Sequence, residues 1–128
     1  MNLIEQFALH LEFLGFGIVS DEEREGNIFW GLMPEQPDEC ICVFSSDSGY
    51  GGSEDGARIQ VMTRAKSTKA AYECSQAIAE VLVDYEGYLN GDGARASIRV
   101  LNASAGLGAD SKKRELYSSN FLVYYCNY

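Results

Sequence analysis

At 128 residues with a 46% hydrophobic fraction, the chain is sized for a single core and one domain, residues 1–128. It has no run near the roughly 20 apolar residues of a membrane-spanning helix and no basic start resembling a secretory signal, which points to a cytosolic protein without a membrane. The net charge of −9 argues against a nucleic-acid footprint, and it is segregated: residues 1–55 hold 12 acids and one base, Arg24, whereas residues 56–128 hold 7 acids and 9 bases.

Acidic loops serve solubility, but nets of −11 and +2 would also steer a head-to-tail contact between copies. The first predicted element is a helix. Ile4, Phe7, Ala8, Leu11 and Leu14 recur at about 3.6-residue spacing and should face the core, with Gly15 and Gly17 ending the run. Leu9, Phe13 and Phe16 project to the other side, a second apolar face that either loops or a neighbouring subunit must cover. His10 lies between the faces; a lone histidine without an acid, cysteine or second histidine at a recognisable spacing reads as solvated or capped rather than as a base or ligand.

An acidic turn at 20–26 precedes a strand at 28–33, stopped by Pro34 and Pro37. Residues 40–45 form a second strand, with Ile41 and Val43 on one face and Cys40, Cys42 and Phe44 on the other. No further cysteine or histidine pair completes a zinc site, so Cys40, Cys42, Cys74 and Cys126 read as reduced thiols. The polar stretch 45–56 carries four glycines but no lysine of a phosphate loop, and its carboxylates lack calcium-loop spacing. Asp47, Glu54 and Asp55 there are instead candidates for a loop that orders against a partner.

Residues 56–87 organise the chain by joining two periods. From 57 to 64, Ile59, Val61 and Thr63 alternate against Arg58, Gln60, Met62 and Arg64 as in a strand. After Ser67, a good N-cap, Ala71, Cys74, Ile78, Val81, Leu82 and Tyr85 recur at helical spacing, with Gly87 as the stop. An Asn- and Gly-rich turn at 88–93 leads to a strand at 95–102, then to a second long flexible segment, 103–115, whose Lys112, Lys113 and Arg114 read as a solvated tip. Residues 117–125 close the chain as a strand. The order α-β-β-β-α-β-β implies an α+β domain with a mostly antiparallel sheet and two packed helices. The sheet face away from the helices should be partly polar, leaving Arg64 and Arg99 to meet a neighbour or a channel.

Four features in order, the amphipathic first helix, RIQVMTRAKS, AAYECSQAIAEVL and ELYSSNFLVYY, resemble the minor capsid or tail-terminator proteins of long-tailed bacteriophages. The resemblance implies an α/β fold with helices on a sheet, and a ring, typically of about six subunits, that caps the tail tube and joins it to the head. It implies as partners a second copy of the chain, the tail tube protein and a neck or head-completion protein. It implies no cofactor and no sequence-specific nucleic acid, with DNA able to thread the ring, and a place in the virion after assembly in the host cytoplasm. Candidate contacts are the apolar Leu9, Phe13 and Phe16, the loop acids, and the bases Arg64, Arg99, Lys112, Lys113 and Arg114. A head-side adaptor or other minor capsid protein is the alternative within this class. A ligand-binding module or enzyme is the competitor outside it: Tyr124, Tyr125 and Tyr128 could line a pocket, but no nucleophile has a base and orienting acid at a known spacing, so catalysis is not expected.

Overall fold

The computed structural model describes residues 2–45, 56–91 and 93–126, apart from the side chain of Cys126. Helix α1 (Leu3–Phe13) starts where the Asn2 side chain accepts the Glu5 amide at 2.8 Å, satisfying a donor that the first turn leaves unpaired. Strand β1 (Ile28–Trp30) is shorter than its alternating pattern predicts, because Gly31 takes a φ of +80° and turns the backbone away before Leu32. β2 (Cys40–Ser45) runs parallel to β1 and antiparallel to β3 (Ala57–Ala65). The next helix, α2 (Thr68–Leu82), begins as expected, with Ser67 Oγ accepting the Ala70 amide at 3.0 Å.

It ends earlier than Gly87. Val83 is extended and Asp84 takes the left-handed conformation at φ 55°, so the chain leaves the helix there, and Gly87 sits inside a short strand, β4 (Glu86–Tyr88). A 3₁₀ turn (Leu89–Gly91) follows. β5 (Arg95–Ala109) and β6 (Glu115–Cys126) complete a six-stranded sheet of order β1-β2-β3-β6-β5-β4, in which only β1 and β2 pair in parallel. The expected α+β class and mostly antiparallel sheet hold. The segment 103–115 is corrected, because residues 103–109 are strand and only 110–114 form a turn.

Both helices lie on one face of the sheet. Phe7 of α1 packs on Phe121 with ring centroids 5.9 Å apart, while on α2 Ser75 Oγ meets Ser119 Oγ at 3.2 Å and the Ala71 carbonyl accepts from Thr63 Oγ1 at 3.0 Å. Because side chains alternate along a strand, Ser119 and Phe121 share a face, and the β3–β6 register places Ile59 beside Phe121 and Val61 beside Ser119. Ile41 and Val43 of β2 and Ile98 of β5 continue this face, and Leu11, Ile78 and Leu82 close the core over it. Two expected core residues are exposed instead: Leu14, just past the end of α1, and Val81, 45% exposed. Ser75 and Ala79 are buried on α2, a polar choice tolerated at Ser75 because its hydroxyl finds Ser119.

Candidate assembly surfaces

On the sheet face away from the helices, Arg58 and Arg99 are exposed and Gln60, Met62 and Ser97 half-buried, the partly polar surface that the alternation predicts. One end of that face is closed. Segment 35–38 folds over it, and Arg64, only 4% exposed, donates from Nη2 to the Pro37 carbonyl at 2.7 Å and from Nε to the Asp38 carbonyl at 3.2 Å. Beside it Arg114, expected at a solvated tip, is buried and reaches three sites: Asp110 Oδ2 at 2.8 Å, Asp38 Oδ1 at 3.4 Å and the Glu35 carbonyl. Arg64 and Arg114 are therefore corrected from outward contacts to internal clasps. The reason is electrostatic, since four acceptors of the acidic half converge on them and a buried guanidinium must be paired.

Other bases of the second half are drawn to the same segment. Lys112 Nζ meets Glu35 Oε2 at 2.7 Å and Lys66 Nζ meets Asp38 Oδ2 at 3.2 Å. The hydrogen bond from Lys112 holds the Glu35 carboxyl below its ordinary value, and that from Lys66 does the same for Asp38. Part of the charge segregation is thus cancelled within one copy. Lys113 and Arg99 make no ion pair among the described residues. Asp47, Glu54 and Asp55 lie outside the described residues.

Cys40 and Cys42 sit on the same sheet face as Arg64, buried, with Sγ atoms 3.8 Å apart. The Cys42 thiol stabilises the Cys40 thiolate, aided by the Arg64 and Arg114 charges, and lowers the Cys40 pKa to about 7, while the Cys42 thiol is held up. Both are free thiols. Among the described residues, no three His, Cys, Asp or Glu side chains are placed to hold a metal ion.

The turn between β5 and β6 is built by Asp110, whose Oδ1 accepts the Lys112 amide at 2.9 Å and the Arg114 amide at 3.0 Å. The Arg114 amide bond is the largest influence holding the Asp110 carboxyl below its ordinary value. This turn points the rest of β5 along β6. Because β4 pairs only with Arg95, Ala96 and Ser97, and the Ile98 amide goes to the Tyr85 carbonyl, residues 99–109 have no strand on their outer side among the described residues. Leu101 and Leu107 are about half exposed there, at 48% and 52%. Three register shifts mark the pairing with β6, and at one of them Ser104, φ 54°, turns inward to give its amide to Ser119 Oγ and its hydroxyl to Gln76 Oε1.

At the opposite end of the strand order, α1, β1 and the acidic turn enclose a groove of about 540 Å³. Leu9, Val19, Trp30 and Leu32 form its apolar floor and walls, and Glu5 and Glu22 stand at its rim. Of the expected second apolar face, Leu9 and Phe16 are partly buried and pack against the core of the same copy, whereas Phe13, 65% exposed, remains outside. Of the two expectations for His10, solvated or capped, the solvated one is corrected. The side chain is buried, its Nδ1 accepts the Asn90 amide at 2.8 Å, and desolvation lowers its pKa from 6.5. Gln6, one turn earlier, accepts the Ala94 amide through Oε1 at 2.7 Å, so the two side chains pin the 3₁₀ turn to α1. The sequence signal for this pair was two polar residues four apart within an apolar face.

No helix among the described residues is long and apolar enough to cross a membrane. The chain has no significant match among curated proteins. A family model described as bacteriophage tail terminator protein matches residues 10–125, a span that begins in the last turn of α1 and takes in α2, strands β1 to β5 and all but the last residue of β6. On that match the chain belongs to the bacteriophage tail terminator family.

Proposed function

We propose that this structural protein of the phage tail acts as a ring of about six copies that closes the end of the tail tube and joins it to the head. The supporting observation is the family match over residues 10–125, taken with a chain whose two sheet ends differ in chemistry. One end offers an acid-rimmed apolar groove and the other a strand edge that shows leucines between flanking bases. Unlike surfaces on one molecule favour a heterologous contact, which closes into a ring when the rotation between neighbours allows. The tube and a neck or head-completion protein would then meet the two faces of that ring. Catalysis has no part in this role.

Sedimentation velocity and electron microscopy over a range of protein concentrations test the ring. The expected result is monomer at low concentration and a closed particle of defined stoichiometry at high concentration. A monomer at every concentration, with or without tail tubes, would contradict it and favour a head-side adaptor.

A further inference from the structure

The outer edge of β5 is exposed in a way that folded proteins usually avoid. A free strand edge presents a row of unpaired amides and carbonyls, and native edges are blunted by brevity, lysine or proline. β1 and β4, the outermost strands of the sheet, are three residues long. The free part of β5 is not short. Its residues 101–109 read LNASAGLGA, without a charge or a proline in a chain that is 23% charged, and they show Leu101 and Leu107 to solvent. The register shifts bend this edge without covering it.

Charge complementarity says what covers it. The groove between α1 and β1 has an apolar floor and carboxylates at its rim, and Glu22, Glu23 and Glu25 beside it make no ion pair among the described residues. The free β5 edge carries the matching chemistry: leucines along its length, Arg99 at one end and Lys113 just past the other, both exposed and neither ion-paired among the described residues. We propose that the edge of β5, centred on Leu101 and Leu107, docks in the α1–β1 groove of a second copy, with its bases meeting the acidic rim. This names the contact through which the proposed ring would close, and it rests on that reading. Because the two surfaces stand at opposite ends of the strand order, every copy has one of each to offer.

Two variants separate the surfaces without touching the core. L101E with L107E puts on the edge a charge that the acidic rim repels, and E22K with L32K puts on the groove a charge that the bases of the edge repel; Leu32, Leu101 and Leu107 are exposed, so circular dichroism and thermal unfolding should match the wild type. Each variant alone is expected to sediment as a monomer at concentrations about tenfold above those at which the wild type forms particles. Mixed, they should form a one-to-one heterodimer and nothing larger, because only one intact edge and one intact groove remain. If wild-type particles form but the edge variant forms them equally well, the β5 contact is wrong while the ring reading stands. A mixture that stays monomeric, or a groove variant that dimerises through its own edge, also overturns the pairing. A wild type that never assembles removes the ring reading, and this contact with it.

Discussion

His10 shows how a single buried group sets a pH dependence. Its Nδ1 accepts the Asn90 amide, so the neutral ring is the form that fits, and burial holds its folded pKa below the ordinary 6.5. As pH falls below 6.5, the unfolded chain takes up a proton that the folded chain refuses, so folding stability declines through the window between 6.5 and the lower folded value. Above 6.5 the group adds no pH dependence. Urea titrations at pH 7.5 and 5.5 should therefore show a lower midpoint at 5.5, and H10Q should flatten that difference; an unchanged slope in H10Q would assign the effect elsewhere. Asp110 acts in a separate and more acidic window: its depressed carboxyl contributes stability above its ordinary 3.8 that is lost as pH falls through the folded value. Arg64 is the second residue-scale test. Arg64→Met would strand the carbonyls of Pro37 and Asp38 that it now satisfies, a loss on the order of 2–4 kcal/mol, whereas Lys113→Met should change stability by less than about 0.5 kcal/mol. Equal unfolding midpoints for the two variants would refute the clasp.

Among the elements, those with strong periodicity were legible and those held by tertiary contacts were not. β2 begins and ends where the alternation of Ile41 and Val43 places it, and Ser67 starts α2 as its side chain dictates. The end of α2 was not legible, because Asp84 rather than glycine supplies the left-handed residue. The outer half of β5 was also hidden. Its Ala, Ser and Gly residues have little strand preference and no alternating pattern; pairing along β6, itself held by β3, imposes the conformation. The same hairpin fixes Arg114, whose role depends on a segment 76 residues earlier in the chain, at Asp38. Ser67→Ala should cost about 1 kcal/mol by removing the cap, and Phe121→Ala, which empties the middle of the core under Phe7, about 3–5 kcal/mol. Chemical unfolding reads both, and a Phe121→Ala loss no larger than that of Ser67→Ala would mean that the core is centred elsewhere.

For the whole molecule, the charge asymmetry visible in the sequence divides into two parts with different uses. One part is used internally, where Lys112 and Arg114 tie the β5–β6 hairpin, and Lys66 the β3–α2 connection, to Glu35 and Asp38. That internal use changes the choice of assembly mutants, since reversing Arg114 would break the fold before it reported on any contact. The remainder, the acids of residues 22–25 and the exposed bases of β5, stays at the surface, where screening by salt acts strongly. Raising salt from about 0.05 M to about 0.5 M should therefore slow assembly much more than it shifts the unfolding midpoint. The most direct measurement of the central claim uses tail tubes with open ends. Incubated with this protein, tubes should gain one ring-shaped density at a single end and should then fail to elongate when tube subunits are added. Tubes that remain bare and continue to grow at saturating protein would contradict the assignment of tail closure to this chain.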